Sequence, residues 1–379
     1  MTLRVAIIHP WFPQYRAGLF HRMKLDAKAK GIELDIFHGP PPKEWQDRND
    51  SIVNDDASQL PTLSFRVGRT SITSKALGPL TRRGPYDLIV AEQAIRHLEL
   101  YRLLLRPHRT RLGLWGHGRT YTADIPQLQE RLKTRITNAC GWFFGYTPNG
   151  VTSVVEAGFD PDRTTTLFNT IDTDRLRIDL RQVTTDDKTN YRRRYGTQPI
   201  LFLGALDESK KVPLLIESFK TAAKTNPALS LVVAGEGPLL SYVLDQSSQA
   251  TGVHYAGSLS GKDKAIALAT SSALAVPGRV GLVAVDALVA GIPLATVQSA
   301  YHAPEFEYLR PDVDVFIGSA TGSDYAQVLT QIAQRERRDQ AEPESPVLPL
   351  LTVAGMSDRF IKGLIAKMTR SRHTPWSTR

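Results

Sequence analysis

The chain alternates short, unbroken apolar runs with longer amphipathic stretches, and it does so twice. Arg4 to Pro10 (RVAIIHP) is largely β-branched and apolar and closes on His9 and a proline, which reads as a strand buried on both faces. A turn, WFPQYRAG, leads into the helical stretch LFHRMKLDAKAKG, which stops at Gly31, and ELDIFHG is the next strand. This strand–helix–strand opening predicts a parallel sheet with crossover helices. A loop rich in Pro, Asp and Asn is expected up to about Ser58, then strands at TLSFRV and YDLIVAE. A helix follows with the period of Leu98, Tyr101, Leu104 and Leu105, then strands at RLGLWGHGR and GWFFGYTP. Asn149 to Gly158 reads as a short helix closed by glycine.

From about Ile178 to Gln198 the apolar period disappears and Asp, Thr, Lys and Arg dominate, so a linker is expected there. The second alternation begins with PILFLGALDESKKVPLLIESFKTAAK and continues through LSLVVAGEGP, a helix from Leu239 to Ala250, VHYAGSLS and a helix from Lys262. The apolar run SSALAVP then ends at Pro277, and Gly278 and Gly281 precede a small-residue helix from Leu282 to Ala290, with Gly291 at its left-handed cap. A further helix is expected from about Asp324 to Arg337, and Asp339 to Leu351 reads as irregular. MSDRFIKGLIAKMTR is a final amphipathic helix with Ser357 and Asp358 as candidate N-caps. The expected organisation is a first domain over 1–180, a linker over 181–198, a second domain over 199–355, and a helix with a basic tail over 356–379 crossing back to the first domain. The fold class is α/β, with two doubly wound Rossmann-like domains facing each other across a cleft.

Composition supports this division. The 379 residues exceed the size at which one core keeps growing, and 41% hydrophobic with 22% charged residues is an ordinary globular balance. The single cysteine, Cys140, excludes an intramolecular disulfide and a cysteine-based zinc cage and fits a reducing compartment. No run of about 18 apolar residues reads as a membrane span, and MTLRVAIIHPWF reads as a strand rather than a cleaved leader. A cytoplasmic location is therefore expected. The net charge of +9 gathers at Arg66, Arg69, Lys75, Arg82 and Arg83, at Arg102, Arg106, Arg109 and Arg111, and in the tail at Lys362, Lys367, Arg370, Arg372 and Arg379. Such patches suit phosphates or peripheral contact with an anionic membrane face. Nucleic acid is not an expected partner, because no recognised motif or interleaved aromatic pattern accompanies the charge.

A parallel sheet binds ligands at the carboxyl ends of its strands, so the chemistry is sought there. In the first half these ends carry Tyr15, Arg16 and Gly18, then Gly116, His117 and Gly118. In the second they carry Gly204, Lys210, Gly235 to Gly237, Gly257 and the glycine turn at Gly278 and Gly281. A strand, a glycine turn and a helix beginning there form an anion site, to which the helix dipole adds about 0.3 to 1 kcal/mol. Lys210, six residues beyond Gly204, supplies a cation for a phosphate. Glycines on both sides of His117 let backbone and ligand approach closely. Other chemistries lack their motifs: no GxGxxG follows the first strand, GSLSGKD misses the Walker spacing, and HExxH and GxSxG are absent. The Asp-x-Asp triplets at Asp160, Asp172 and Asp312 do not each follow a clear strand, so no metal and no cofactor are expected.

Together these residues resemble a retaining glycosyltransferase of the GT-B fold, in the large family 4 (glycosyl transferases group 1) that uses nucleotide-sugar donors. The resemblance is strongest from about Trp115 to Tyr308. FNTIDTDRL is similar to that family's NG(V/I)D segment, with Thr170 in place of glycine, and LFLGALDESKKVPLLIESF to its donor-diphosphate segment, with Lys210 on the family lysine. LVVAGEGP and VHYAGSLS match two further blocks, with Leu259 near the position that lines the base, and WGHG places His117 on the histidine beside the donor sugar. Two of the departures fall in the donor site. Ala205 replaces an arginine, and of the two glutamates of E-G-F-G-L-V-x-L-E the first is Gly278 and the second Asp286, a pattern shared with a PGxVGL subset. The resemblance implies that Asp286 accepts from the ribose hydroxyls and that the lost carboxylate is replaced by the N–H groups of Gly281 and Leu282, or by Glu305 or Glu307. Arg16 and Gly18 join the expected donor contacts, with Gly204 and Gly278. The implied activity is sugar transfer, with retention, from a UDP- or GDP-sugar to a glycan, lipid-linked or small-molecule acceptor, with the acceptor bound by the first domain and the nucleotide sugar by the second. The alternative is an inactive protein of the same fold that binds a nucleotide sugar or glycan.

Overall fold

A computed structural model of the chain describes residues 2–41, 57–68, 70–105, 111–121, 127–299, 301–335 and 345–373. They form two α/β units, one running to Asn169 and resuming at Val353, the other spanning Thr170–Thr352. The loop expected before Ser58 lies almost wholly outside the described residues, as do Arg69, Arg106, Arg109, Arg379 and the stretch 336–344.

The first unit runs β1 (Leu3–His9), α1 (Ala17–Ala29), β2 (Ile32–His38), β3 (Ser58–Gln59), β4 (Thr62–Val67), β5 (Thr70–Lys75), α2 (Gly78–Arg82), β6 (Leu88–Glu92), α3 (Leu98–Leu104), β7 (Leu112–Gly116), α4 (Gln127–Asn138), β8 (Trp142–Gly145), α5 (Pro148–Glu156) and β9 (Thr164–Thr166). Seven strands form one parallel sheet in the order β3-β2-β1-β6-β7-β8-β9, while β4 and β5 form a separate antiparallel hairpin. The unbroken apolar run of β1 follows from burial on both faces. Val5 and Ile7 pack in a layer with Leu19, Phe20 and Met23 of α1, and Ala6 and Ile8 in the opposite layer with Leu100 and Leu103 of α3.

The second unit runs α6 (Thr173–Arg181), α7 (Thr185–Tyr195), β10 (Gln198–Leu203), α8 (Val212–Thr225), β11 (Leu229–Ala234), α9 (Leu240–Gln249), β12 (Val253–Tyr255), α10 (Gly261–Thr270), β13 (Ala273–Ala275), α11 (Val283–Ala290), β14 (Leu294–Val297), β15 (Val315–Gly318) and α12 (Gly322–Gln334). Its sheet has the order β12-β11-β10-β13-β14-β15, all parallel. Both sheets are therefore doubly wound, with the reversal of strand order between β1 and β6 in one and between β10 and β13 in the other. The crevice beyond the carboxyl ends of such a pair is where ligands bind in this class of sheet.

Three local expectations are corrected. The stretch 181–198, read as an irregular linker, contains α7, whose N-terminus is fixed by a reciprocal cap between Thr184 and Asp187. Only Tyr191 and Tyr195, one turn apart, are buried along it, which is why no apolar period is visible. Their rings lie 4.7 Å apart, and α7 packs on α10. The last helix, α13 (Val353–His373), begins before Ser357 and Asp358, so neither is an N-cap. Ser357 is instead buried and donates to Asp26 at 2.7 Å, while Asp358 pairs with Lys362 at 2.8 Å. Lys75, counted with the basic surface, is buried in an ion pair with Glu99 at 2.8 Å.

The amphipathic period of α13 is explained by its docking on α1. Phe360 is fully buried, stacked on Phe144 at 4.6 Å and set 5.2 Å from Trp115. Phe360→Ala is expected to lower unfolding stability by about 3 to 5 kcal/mol, read as a shift in the urea midpoint of the first unit.

Candidate active site

The reversal of the second sheet brings two loops together, the one after β10 and the one after β13. The first runs from Gly204 through a short 3-10 turn, Glu208–Lys210, capped by the Asp207 carboxylate, which accepts from Ser209 N at 3.0 Å. The second is the glycine turn Pro277–Leu282, which leads into α11. The two are joined backbone to backbone. Gly278 N donates to Lys210 O at 3.1 Å, and Arg279 N donates to Ser209 O at 2.7 Å. Lys210 Nζ closes the clasp by donating to Arg279 O at 2.5 Å. A Cβ at Gly278 would collide with Ser209 O and with the backbone of Lys210. The glycine at this position is thus demanded by the contact that holds Lys210 in place.

A second brace comes from the far side of the turn. His302 Nδ1 accepts from Val280 N at 3.3 Å, Nε2 lies 3.2 Å from Val297 O, and Ala303 N donates to Val280 O at 2.8 Å. The imidazole stacks on Phe306 with centroids 4.0 Å apart. Accepting at Nδ1 and donating at Nε2 requires the neutral ring. Burial holds its pKa down to about 4, and the nearby Lys210 and Lys211 push the same way. Sequence reading passed over His302 because a lone histidine in YHAPEFEYL carries no spacing signal.

The other expected residues of this unit are placed as follows. Gly204 stands directly after β10, and Leu259 is half-buried in the loop after β12. Gly281 and Leu282 head α11, and a Cβ at Gly281 would meet only ordinary contact, so that glycine is not sterically required. Asp286 lies in the first turn of α11, buried, with one oxygen 2.6 Å from Lys264 Nζ. Burial raises its pKa against the opposing pull of Lys264. Glu305 and Glu307 sit on a 3-10 turn, Pro304–Tyr308, rather than on a surface loop; Glu305 is buried and Glu307 half-buried. The Asp-x-Asp residues cap and brace turns: Asp160 accepts from Asp162 N, Asp172 from Arg175 N, and Asp314 binds Arg310 at 2.7 Å.

In the first unit, His117 follows β7 and is half-buried, its ring 4.6 Å from that of Tyr146. Its flanking glycines have a reason other than ligand approach. A Cβ at Gly116 would strike Gln93, and one at Gly118 would strike the Gly150 carbonyl, in the first turn of α5. Gly118 also has φ +78°. Arg16, expected as a donor contact, is only 2% exposed, with its guanidinium over the rings of Trp115, Tyr146 and Tyr15 at 5.3, 5.2 and 5.4 Å. Three aromatic faces of this unit thus flank the guanidinium. Gly18 is exposed in the first turn of α1, which follows β1.

Residues 184–324 match the sequence model of the family described as glycosyl transferases group 1. That region holds Lys210, Leu259, the glycine turn, Asp286 and both glutamates, but not His117, Arg16 or Gly18. No curated protein matches the chain. Among solved structures, HepE from Anabaena, in complex with UDP and glucose, is similar with TM-score 0.58 and 14% identity over 98% of both chains. The lipopolysaccharide outer core galactosyltransferase WaaB superposes with TM-score 0.61 at 12% identity over 96% of this chain and 100% of that one. The UDP-GlcNAc 2-epimerase from Methanocaldococcus jannaschii gives TM-score 0.57 at 10% identity, covering 96% and 99%. At these identities the likeness shows the fold, the two-unit α/β class of GT-B proteins.

Two outcomes follow from the braced turn. Gly278→Glu, which restores the family carboxylate in sequence, is expected to destabilise by about 1 to 3 kcal/mol or more through overpacking, lowering the thermal midpoint. The second concerns pH. Folded His302 stays neutral to about pH 4, while an unfolded imidazole protonates near 6.5. Its contribution, at most about 3 kcal/mol, is therefore present above pH 6.5 and lost as pH falls toward 4. Urea titrations should show His302→Phe less stable at neutral pH but with a shallower decline across that window.

Proposed function

We propose that this chain is a glycosyltransferase that moves a sugar from a nucleoside-diphosphate sugar to a hydroxyl acceptor with retention at the anomeric carbon. The observation that carries the reading is that the matched family region, 184–324, contains the switch-point loops of the second unit. Lys210, held by the Arg279 carbonyl, would stand beside the diphosphate. Gly281 and Leu282 would present their N–H groups at the head of α11, since the amides of Gly278, Arg279 and Val280 are engaged within the unit. As the bond from the anomeric carbon to the diphosphate oxygen breaks, its electron pair stays on the diphosphate, and these positive groups stabilise the growing charge. Leu259 would line the base, Asp286 would accept from the ribose hydroxyls, and Glu305 or Glu307 would serve in place of the missing first carboxylate. His117 is assigned to the reacting sugar by the resemblance of WGHG.

The acceptor is proposed to be a glycan or lipid-linked sugar. Among the described residues, no helix is long and apolar enough to cross a membrane. Contact with an anionic membrane through the basic patches is part of this proposal.

A second reading, nucleotide-sugar binding without transfer, draws on Gly278, where the clasp leaves no room for a carboxylate. One experiment separates the two. Wild-type protein is incubated with UDP-, GDP- and TDP-sugars and assayed for diphosphate release and transfer. Release is expected with one nucleotide class, and Lys210→Ala should reduce it by about 100-fold or more. Tight nucleotide binding with no release from any donor would establish the second reading. Unchanged turnover in Lys210→Ala would overturn the assigned site.

A further inference from the structure

The helix that follows the glycine turn, α11 (VAVDALVA), carries one charged side chain, Asp286, among valine, alanine and leucine. A carboxylate only 7% exposed in such surroundings needs a partner. The partner comes from the neighbouring helix. Lys264, near the start of α10, places Nζ 2.6 Å from Asp286 Oδ1, and 21% of its own side chain remains exposed. α10 and α11 pack directly, so the pair ties two helices of the second unit.

Two features set this pair apart from ion pairs that serve packing alone. The first is its asymmetry. Both oxygens of Asp314 are taken by Arg310, and both oxygens of Glu99 by Lys75. In Asp286, Oδ1 is sealed from solvent beside the ammonium, while Oδ2 accepts no hydrogen bond among the described residues. Buried acceptors in folded proteins are nearly all bonded, and one that is not calls for a donor from outside the chain. The second feature is position: Asp286 lies one turn into the helix headed by Gly281 and Leu282.

Lys264 is also the charged group that acts on the Asp286 carboxyl. On the other elements packed against α11, Asp179 of α6 is paired with Arg175 at 3.0 Å, Glu305 and Glu307 stand on the 3-10 turn Pro304–Tyr308, and the turn Leu348–Leu350 carries no charge.

We propose that Lys264 is a positioning residue that sets nucleoside specificity: its ammonium occupies Oδ1 of Asp286, so the carboxylate reads one ribose hydroxyl through Oδ2 rather than two. This rests on the assignment of Asp286 to the ribose made above, and narrows it. A carboxylate with both oxygens open accepts from both hydroxyls of a vicinal diol, one to each oxygen. With Oδ1 held, the second hydroxyl has no acceptor there. Lys264 also governs the charge. Burial drives the Asp286 carboxyl toward its neutral form, and the ammonium opposes it. A neutral carboxyl is the weaker acceptor. Lys264→Met, which removes the ammonium and keeps the bulk, therefore raises the pH at which Asp286 ionises.

The test uses the full chain and isothermal calorimetry from pH 5 to pH 9, with UDP, GDP, and the 2′-deoxy and 3′-deoxy analogues of whichever binds. The quantity read is the affinity of the parent nucleotide relative to each analogue, a ratio in which diphosphate contacts and any general loss of stability cancel. At pH 8 the wild type is expected to favour the parent over one analogue by about tenfold or more, and over the other by less than about threefold. The larger ratio should shrink toward pH 5. In Lys264→Met the decline should lie about one to three pH units higher, and in Asp286→Asn the ratio should no longer change with pH. About tenfold discrimination against both analogues, or a decline that keeps its wild-type position in Lys264→Met, overturns the proposal and leaves Asp286 as the ribose contact. A pH dependence that survives in Asp286→Asn, or discrimination against neither analogue, removes Asp286 from the ribose and the proposal with it. Failure of both UDP and GDP to bind overturns the nucleotide-sugar reading itself.

Discussion

The clasp between Gly278 and Lys210 is the constraint on which the second unit's candidate site depends. Three short-range bonds, two through backbone amides and one through the lysine ammonium, fix a cation beside the head of a helix. Each alone is worth only about 0.5 to 1.5 kcal/mol, more where a charge is involved. Their joint effect is geometric. Neither loop can shift without breaking contacts to the other, and His302 with Phe306 closes the turn from behind. Such over-determination is what an electrostatic site needs, because donors that must reorganise during a reaction lose much of their effect.

This arrangement also gives physical sense to the departure at Gly278. A glutamate there would need the two loops to part, so glycine at this position goes with the close approach of Ser209 and Lys210. Asp286 shows a parallel adjustment. It is buried, and it carries its own ammonium partner in Lys264. The acidic side of this site is buried. Its cationic side is held by main chain.

The two units use their switch points differently. In the second, the crevice edge is built from glycines, amides and lysine, a surface for anions. In the first, Glu92 and His97 stand beside the buried ion pair of Lys75 and Glu99. The likeness to GT-B structures places a fold around these edges, and the chemistry differs with the side chains that each edge presents.

By itself the sequence determined the alternation of strands and helices, because strands buried on both faces carry runs of apolar residues, as Val5 to Ile8 of β1 and Leu231 to Ala234 of β11 do. It also determined the glycine turn and the cap at Gly291, whose signals are local. It misread 181–198, since two tyrosines one turn apart suffice to dock α7 yet leave no visible period. It could not show that the glycines around His117 also accommodate Gln93 and Gly150, partners 23 and 32 positions removed from Gly116 and Gly118 respectively. The burial of Arg16 among aromatic rings, the pairing of Lys75 with Glu99 and the brace from His302 were decided only by tertiary structure. Charge and burial are properties of neighbours in space, and the partners of these groups stand on other elements of the chain.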